Sequence, residues 1–390
     1  MDALAGRSFG SPASLSVRAP GRVNLIGDHI DYCDLAVLPM AIGRDVRIDF
    51  RPREDGRVRV VNTNPAHGAA EFSVGVEIPA AGRGEWSNYV RAAVQHLARK
   101  HGLSRGFDAV VDGNVPEAAG LSSSSALVVA SALATLASNA REIERLELAE
   151  DCAEAERYVG TNSGGMDQAA SLLAIEGHAL RVDFAPLRTE AILVPTDWRF
   201  SIANSLGVAD KSGALRESYN GRRAASEAAL AALAARYPEI DASRGYPALM
   251  ARYPVEELLE LGSAAMEGEL LRRFRHIVTE SARVERACSD MSRGDIASFG
   301  DLMNASQQSL RDDCEVSTPD IERLVEIARE HGARGARLTG AGLGGAVVAL
   351  IEESREEGML EAFAEKFFAE RIPARELRRH LLRVSPSGAQ

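Results

Sequence analysis

The sequence predicts an α+β protein built from two mixed lobes, residues 1–195 and 196–390, which divide near Pro195. In the first half, short segments of alternating apolar residues, typical of strands, are interspersed with segments whose apolar residues recur at helical spacing. From about residue 212 to residue 331 the pattern is mostly helical, and strand-like segments return only after that. The second lobe is therefore expected to be richer in helix than the first.

Apolar spacing predicts the elements of the first lobe. Alternation predicts strands over residues 47–50, 58–61, 107–111 and 179–184, the last of them after the turn at Glu176 and Gly177. Helical spacing predicts helices over residues 86–101, 121–137 and 146–158.

Loops at residues 236–247, 292–295 and 314–319 divide the helical stretch of the second lobe. The chain then continues with a predicted strand over residues 345–351, a helix near residues 360–370 and a short strand over residues 381–384.

The composition is that of a globular protein with a sizeable core, since 45% of the residues are hydrophobic and 26% are charged. It excludes a disordered chain, a collagen and a disulfide scaffold. Lys and Arg number 45 against 56 Asp and Glu, so the net charge is −11, and the basic residues form no dense run. Nucleic acid is therefore not an expected partner.

Cysteine usage and hydropathy predict a cytoplasmic protein that does not contact a membrane. The four cysteines lie far apart without a CxxC pair, which is typical of reduced thiols. The N-terminus lacks a basic segment followed by an apolar run, and the longest apolar stretch, residues 126–137, is shorter than the roughly 20 residues of a membrane span. The histidines, His96 and His101 included, show no metal-ligand spacing. The sequence leaves a monomer and a weak dimer both open.

The glycine-rich segments do not match the common nucleotide loops. The pattern GxxxxGK[ST] is absent from the sequence. Residues 340–345 satisfy GxGxxG, but the β-branched residues that follow predict a strand, whereas a dinucleotide-binding loop opens a helix. We therefore reject a Rossmann interpretation.

Residues 115–126 form a more informative loop, in which a Pro/Gly segment runs into four serines and then into an apolar helix. This order places small hydroxyl residues and free backbone N–H groups at a helix N-terminus, where an anion is favoured. A serine hydroxyl there is also able to ligate Mg²⁺. The alternative is an N-capping serine run before a buried helix.

A second cluster gathers Arg22, Asp28, His29 and Asp31 beside the strand-like residues 23–26. Carboxylates and an imidazole in one turn are suited to fix several hydroxyl groups of a polyhydroxylated ligand. The alternative is a solvated loop with ordinary ion pairs.

A third cluster lies at the end of the helix predicted over residues 146–158. Gly164 and Gly165 permit a close backbone approach just before Asp167, which is a candidate general base, and Glu156 is a candidate magnesium ligand. Taken singly, each of these acids is more readily explained as a solvated surface residue than as a catalytic one.

Together these segments resemble the GHMP kinases, and within them the galactokinases and N-acetylgalactosamine kinases. Residues 22–32 look like the galactokinase signature, residues 120–126 like the phosphate loop of the superfamily, and residues 338–345 like its glycine-rich third motif. The resemblance implies a two-lobed GHMP kinase fold with the active site in the cleft between the lobes. It also implies ATP-dependent phosphorylation of a galactose-type sugar at its anomeric hydroxyl, with ATP and Mg²⁺ as cofactors.

The resemblance also assigns roles to individual residues. It implies that Asp167 is the catalytic carboxylate with Arg22 beside it, and that Ser124 and Glu156 hold magnesium. The implied sugar contacts are Arg22, Asp28, His29, Asp31, Gly164, Asp167 and Tyr219. The implied nucleotide contacts are Gly120, Leu121, Ser122, Ser123, Ser124, Ser125 and Ala126.

Some positions depart from the usual galactokinase pattern. Asp28 stands where galactokinases usually have glutamate, and residues 32–35 depart from the usual galactokinase residues. The pair Tyr32 and Cys33 resembles the N-acetylgalactosamine kinases, whereas Tyr219 is typical of galactose-specific members. N-acetylgalactosamine or another galacto-configured sugar is therefore an alternative substrate. A non-catalytic sugar sensor is a further alternative, but such a protein is expected to lose the serine loop or Asp167, and both are intact here.

Overall fold

The first lobe is a sheet with helices packed against it, seen in a computed structural model that describes residues 1–160, 164–207 and 214–389. Its elements are α1 (Asp2–Phe9), β1 (Leu15–Ile26), β2 (Leu38–Pro52), β3 (Arg57–Asn62), β4 (Ala70–Ser73), α2 (Ser87–His101), β5 (Phe107–Gly113), α3 (Ser123–Ser138), α4 (Arg145–Ala155), α5 (Met166–Leu173), β6 (His178–Asp183) and β7 (Arg188–Leu193). The sheet order is β1-β2-β5-β3-β4, in which β3 and β5 run parallel and the other neighbours antiparallel. β6 and β7 form a separate hairpin.

The second lobe packs a helical region against an antiparallel sheet. Its elements are β8 (Trp198–Asn204), α6 (Ala214–Arg236), α7 (Gly245–Arg252), α8 (Val255–Ala265), α9 (Gly268–Arg293), α10 (Ile296–Asp312), α11 (Pro319–Glu330), β9 (Gly335–Thr339), β10 (Ala346–Glu352), α12 (Glu353–Phe363), α13 (Leu377–His380) and β11 (Leu381–Val384). The sheet order is β11-β8-β10-β9. None of the helices in the described part of the chain combines the length and the apolar character that a membrane span requires.

Capping residues explain where the long helices of the second lobe begin and end. α9 ends at Arg293 and is capped by Gly294, whose φ of 71° is the left-handed conformation that glycine adopts readily. The Asp295 carboxylate then accepts a hydrogen bond from the Ser298 N–H at the start of α10, and Thr318 caps α11 in the same way. The loops predicted at residues 292–295 and 314–319 lie in the structure at residues 294–295 and 313–318, within two residues of the predicted bounds.

The α+β class is confirmed, but several element boundaries differ from the prediction. β1 begins at Leu15, although only residues 23–26 had a strand-like pattern, and the helix predicted near residues 360–370 begins at Glu353. α4 ends at Ala155 and is followed by a 3-10 turn, and α7 begins at Gly245, inside the loop predicted over residues 236–247. α5 was not predicted, because it has only eight residues.

Among the described residues, two hydrophobic cores each lie on one side of the proposed boundary near Pro195, and a third contains residues from both sides. One core lies within the first lobe, between its sheet and α2, α3 and α4, and another lies within the second lobe around β9, β10 and α11. A further core joins apolar residues of β1 and β2 to residues of α6, α9, α10 and β8. Each large sheet takes its strands from one side of Pro195, whereas this core takes residues from both.

Candidate active site

A cavity of about 240 Å³ brings together residues that are distant in the sequence. Its walls come from β1 and the turn that follows it, the loop before α3, the segment that joins α4 to α5, α6, and the loop between β9 and β10. The cavity therefore has walls from both halves of the chain.

Arg22 on β1 and Asp167 in the first turn of α5 form an ion pair in this cavity. The Nε and Nη2 atoms of Arg22 lie 2.8 and 2.7 Å from Asp167 Oδ1, and Arg22 Nη1 donates to the Gly120 carbonyl at 2.6 Å. The other carboxylate oxygen accepts from the hydroxyls of Ser122 at 2.6 Å and Ser125 at 3.2 Å. The Asp167 side chain is still 21% exposed. A carboxylate that is oriented on both sides and open to a ligand is suited to receive a proton or a hydrogen bond.

The N-terminus of α3 faces the cavity with unpaired donors. The first hydrogen bond of the helix runs from Ala126 N to Ser122 O, so the N–H groups of Ser123, Ser124 and Ser125 have no partner within the helix. These serines line the cavity. The free donors and the helix dipole together favour a bound anion such as phosphate.

The loop before α3 and the glycine-rich loop after β9 touch backbone to backbone. Gly120 has a φ of 72°, and a Cβ added there would lie 2.6 Å from the Thr339 carbonyl oxygen. A Cβ at Gly340 would likewise lie 2.9 Å from the Gly120 carbonyl oxygen. Only glycine permits this approach, so the two loops hold each other in place.

Glu156 is a buried carboxyl group that suits a cation. It lines the cavity, is 5% exposed, and its Oε1 atom has no hydrogen-bond partner. Burial, with the negative charge of Asp167 adding to it, raises the pKa of Glu156 to about 7. An unpartnered carboxylate oxygen beside a serine-lined anion site fits the oxygen ligands that Mg²⁺ prefers.

Asp31 also lines the cavity, where a backbone N–H group and a tyrosine side chain hold its carboxyl group. Its Oδ2 accepts from the Gly164 N–H at 2.9 Å and its Oδ1 from the Tyr219 hydroxyl at 3.4 Å. A Cβ at Gly164 would lie 2.3 Å from the Asp31 carbonyl oxygen, so this contact requires glycine. Burial and the nearby carboxylates raise the pKa of Asp31 to about 6. Residues 161–163 of the same motif lie outside the described residues.

His29 is a buried neutral imidazole. Its Nε2 lies 3.2 Å from the Ala341 carbonyl oxygen, which only accepts, so Nε2 carries the proton. Nδ1 then accepts from the Tyr32 hydroxyl at 3.3 Å. Burial and the positive charge of Arg222 lower the pKa of His29 to about 3. His29 therefore presents an uncharged ring beside Tyr219, with the ring centres 5.5 Å apart.

Asp28 has a partner that the sequence analysis did not identify. Arg337 Nη2 donates to Asp28 Oδ2 at 2.6 Å, and the Gly340 N–H donates to Oδ1 at 3.2 Å. Both side chains of the ion pair are buried, and Arg337 Nη1 also donates to the Asn24 carbonyl at 3.1 Å. Asp28 therefore lines the cavity while its carboxylate ties the turn after β1 to β9 and the loop that follows.

Outside the cavity, the side chains of His101, Glu147 and Asp151 bring ligand atoms within 4.8 Å of one another. Lys100 Nζ lies 2.6 Å from Asp151 Oδ1, and His101 Nε2 lies 2.7 Å from Oδ2. Because an ammonium already neutralises this buried carboxylate, we interpret the cluster as a set of ion pairs that joins α2 to α4.

Three family models match the chain, in segments that lie in order along it. The galactokinase galactose-binding signature matches residues 6–52, the GHMP kinases N terminal domain residues 88–174, and the GHMP kinases C terminal model residues 287–369. They contain Arg22 to Asp31, the serine loop with Asp167, and the glycine-rich loop, respectively. The chain belongs to the GHMP kinases.

Solved structures place this GHMP kinase with the galactokinases. The galactokinase of Lactococcus lactis, solved with galactose, is 29% identical, with a TM-score of 0.88 over 100% of this chain and 97% of that chain. The mevalonate kinase of Methanococcus jannaschii is 17% identical, with a TM-score of 0.64 over 96% and 98% of the two chains. The phosphomevalonate kinase of Streptococcus pneumoniae is 12% identical, with a TM-score of 0.63 over 90% and 97%. The last two show the shared fold alone.

Most residues predicted for the site of this GHMP kinase lie together. Those that line the cavity are Arg22, Asp28, His29, Asp31, Gly120, Leu121, Ser122, Ser123, Ser124, Ser125, Glu156, Asp167 and Tyr219. Gly164 does not line it but hydrogen-bonds to Asp31. Ala126 is buried one residue further into α3, outside the lining. Sequence analysis did not name Tyr89 or Met166 as site residues, because their phenolic and apolar side chains carry no signal of ligand contact.

Proposed function

We propose that this GHMP kinase transfers the γ-phosphoryl group of ATP to the anomeric hydroxyl of galactose or a galactose-like monosaccharide, giving a sugar 1-phosphate and ADP. The observation that carries the proposal is the oriented Asp167 carboxylate, which shares one cavity with a helix N-terminus suited to phosphate and with a cluster of groups suited to hydroxyls. The galactose-binding signature over residues 6–52 supports the sugar.

The phosphate groups of ATP bind at the N-terminus of α3. The free N–H groups of Ser123, Ser124 and Ser125 donate to phosphate oxygens, and their small side chains allow the close approach. Gly120 and Leu121 complete the loop, while Ala126 contributes through its position in the first turn rather than through its side chain.

Glu156 and Ser124 are the residues that would hold Mg²⁺ here, because the unpartnered Glu156 oxygen and the Ser124 side chain line the same cavity. Bound there, the ion would neutralise charge on the phosphate oxygens.

The charge of the cavity suits a neutral sugar. Apart from the Asp28–Arg337 pair, the described residues that line it include the carboxyl groups of Asp31, Glu156 and Asp167, and among these described residues Arg22 is the one further cation. Such a site accepts hydrogen bonds from hydroxyl groups and repels a sugar acid. His29, Tyr219 and Gly164 complete the sugar side by shaping it and by holding Asp31.

Asp167 receives the proton of the reacting hydroxyl. The hydroxyl donates a hydrogen bond to the carboxylate, which Arg22, Ser122 and Ser125 keep in one orientation. As the bond from the sugar oxygen to the γ-phosphorus forms, the bond from that phosphorus to ADP breaks and the hydroxyl proton passes to Asp167. Positioning and charge neutralisation supply most of the catalysis in such a transfer.

N-acetylgalactosamine is the second candidate substrate, because the pair Tyr32 and Cys33 resembles the N-acetylgalactosamine kinases. We also propose that the enzyme acts in the cytoplasm as a monomer or weak dimer. The four cysteines are buried free thiols, which agrees with a reducing compartment.

The proposal is tested by coupled ADP release with ATP and Mg²⁺ across galactose, N-acetylgalactosamine, galacturonate, fucose and arabinose. We expect sugar-dependent turnover with galactose or N-acetylgalactosamine, and none with galacturonate because of the carboxylates in the cavity. No turnover with any sugar, despite measurable sugar binding, would contradict the kinase and support a sugar sensor.

A further inference from the structure

The turn that follows β1, residues 27–29, has a backbone conformation that needs support from outside. Gly27 has a φ of 102° and His29, which is not glycine, a φ of 62°. A non-glycine residue with positive φ is costly and persists where its surroundings fix it. We call this segment the sugar-side turn, because His29 and Asp28 line the sugar side of the cavity.

Two side chains of α9 hold the backbone of the sugar-side turn. The Gly27 N–H donates to Glu280 Oε1 at 2.9 Å, and His276 Nε2 lies 2.9 Å from the Asp28 carbonyl oxygen. Glu280 and His276 are four residues apart, so they lie on the same face of the helix. Neither lines the cavity, and both are almost completely buried.

Glu280 is a fixed, ionised acceptor. Its Oε1 also accepts from the Ser306 hydroxyl at 2.6 Å, and its Oε2 accepts from Arg283 Nε at 2.7 Å. Burial alone would raise its pKa, but the positive charge of Arg283 holds the pKa of Glu280 below its usual range. The Gly27 N–H therefore meets a carboxylate whose other contacts fix its position, and charge-assisted hydrogen bonds of this kind are strong.

His276 is a fixed donor. The Asp28 carbonyl only accepts, so Nε2 carries the proton, while Nδ1 lies 2.9 Å from the Ser309 hydroxyl oxygen on α10. Burial lowers the pKa of His276, and the Ser309 hydroxyl has Asp313 Oδ2 as a second neighbour at 3.0 Å. The two α9 side chains thus pair with successive backbone groups, the N–H of Gly27 and the carbonyl of Asp28.

We propose that Glu280 and His276 are positioning residues that set the conformation of the sugar-side turn, and through it the affinity for the sugar, without touching the substrate. The inference rests on the proposed function, because it assigns the sugar to the side of the cavity that this turn forms. A positioning role differs from a purely structural role in one measurable respect. Loss of either contact weakens sugar binding more than it weakens binding of the nucleotide, which binds at α3.

The test compares four variants with the wild type: Glu280→Gln, His276→Leu, His276→Gln and the control Asp290→Asn. Asp290 is another buried carboxylate of α9, but it accepts from Ser298 and Arg293 and is not bonded to the turn. Each protein is assayed for the KM of the sugar, the KM of ATP, kcat, and Tm. The sugar is the one that gives turnover with the wild type.

We expect Glu280→Gln, which weakens a buried charge-assisted hydrogen bond, and His276→Leu, which removes a buried neutral one, to raise the sugar KM about tenfold each. The ATP KM should change less than about twofold. His276→Gln offers an amide donor and should recover part of the loss. Asp290→Asn should lower Tm while both KM values stay within about twofold of the wild type.

The inference is wrong if the Glu280 and His276 variants lower Tm like Asp290→Asn but leave the sugar KM unchanged, or if they raise the two KM values equally. If a variant does not fold, the conservative Glu280→Gln and His276→Gln proteins decide the question by the same criterion. A wild-type protein without turnover on any sugar would count against the proposed function, which distinguishes that failure from a failure of this inference.

Discussion

The two carboxylate oxygens of Asp167 have different partners, so an amide in its place must lose the contacts on one side. Asn keeps the size and one acceptor oxygen but cannot take a proton, and its amide nitrogen would face either Arg22 or the two serine hydroxyls. We expect Asp167→Asn to lower kcat by about 10²-fold or more, with a smaller change in sugar affinity. Steady-state kinetics and calorimetric sugar binding measure the two effects.

Ser122→Ala is the matched control for Asp167→Asn. It removes the shorter hydroxyl contact to Asp167 but leaves the carboxylate and the Arg22 pair in place. A loss of activity much smaller than that of Asp167→Asn is expected. An Asp167→Asn enzyme with near wild-type kcat would show that the carboxylate does not receive the proton.

Asp31 should make sugar affinity depend on pH. Its pKa of about 6 means that the carboxylate, the form that accepts hydrogen bonds from sugar hydroxyls, is lost as the pH falls through 6. We expect the sugar KM of the wild type to rise below pH 6. In Asp31→Asn the KM should be higher than that of the wild type above pH 6, approach it below pH 6, and lack this step. A wild-type KM that is flat between pH 5 and 7.5 would contradict the assignment.

Asp31 should also make the stability of the folded protein depend on pH. Whereas sugar affinity is expected to fall at low pH, the stability contributed by Asp31 should fall as the pH rises. Folding raises the pKa of Asp31 from 3.8 to about 6, so the folded state binds the proton more tightly than the unfolded state. The free energy of unfolding therefore falls as the pH rises from about 4 to 6, by on the order of 3 kcal/mol for this group. Asp31→Asn should have a higher Tm than the wild type at pH 7, and the difference should shrink at pH 5.

Among the structural elements, the loop before α3 and the loop after β9 depend on each other at Gly120. A Cβ there would lie 2.6 Å from the Thr339 carbonyl oxygen, and the φ of 72° disfavours any other residue. We expect Gly120→Ala to raise the ATP KM and lower kcat at least tenfold, because either loop must shift and Arg22 loses its contact with the Gly120 carbonyl. Nucleotide kinetics measure this.

Gly358→Ala is the control for that substitution. Gly358 lies within α12, its φ is not positive, and an added Cβ there meets nothing within 4 Å. Activity should stay unchanged and Tm should rise slightly, since Ala favours a helix over Gly by up to about 1 kcal/mol. Equal kinetic effects of the two substitutions would contradict the loop argument.

The sequence predicted those elements whose own residues carry a regular pattern. Helix α2 follows its apolar spacing almost to the residue, and β11 has the predicted bounds Leu381–Val384. The first half of β1 was missed because its residues 15–18 are largely exposed and Pro20 and Gly21 lie at a point where the register with β2 shifts. A strand with a bulge and exposed residues has no alternation to detect.

The same distinction separates the site residues that the sequence predicted from those that it missed. Residues in local motifs, such as Arg22 and Asp167, were predicted because their chemistry and their resemblance to a family are visible over a few positions. Arg337, Glu280 and His276 were not, because each acts on the sugar-side turn from about 250 to 310 positions away in the chain. Such contacts arise from the packing of α9 and β9 against β1, which no local pattern encodes.

At the scale of the whole molecule, non-covalent contacts join the parts of the chain on either side of Pro195. Apolar residues of β1 and β2 share a core with α6, α9 and α10, and the buried Asp28–Arg337 pair links the same regions. Removing one partner of a buried ion pair typically costs about 3–5 kcal/mol, because the other charge stays buried without compensation. A separated half would have both this cost and an exposed apolar surface.

We therefore expect residues 1–195, expressed alone, not to form a stable domain, although they contain a complete sheet and a core of their own. Near-UV circular dichroism should lack the signal of fixed aromatic packing, and heating should give no cooperative transition, whereas the full chain should unfold in one. A cooperative transition in the fragment would show instead that the first core is sufficient and that the boundary near Pro195 separates independent domains. Because the cavity has walls from both halves, the first outcome would mean that the active site forms only when the whole chain has folded.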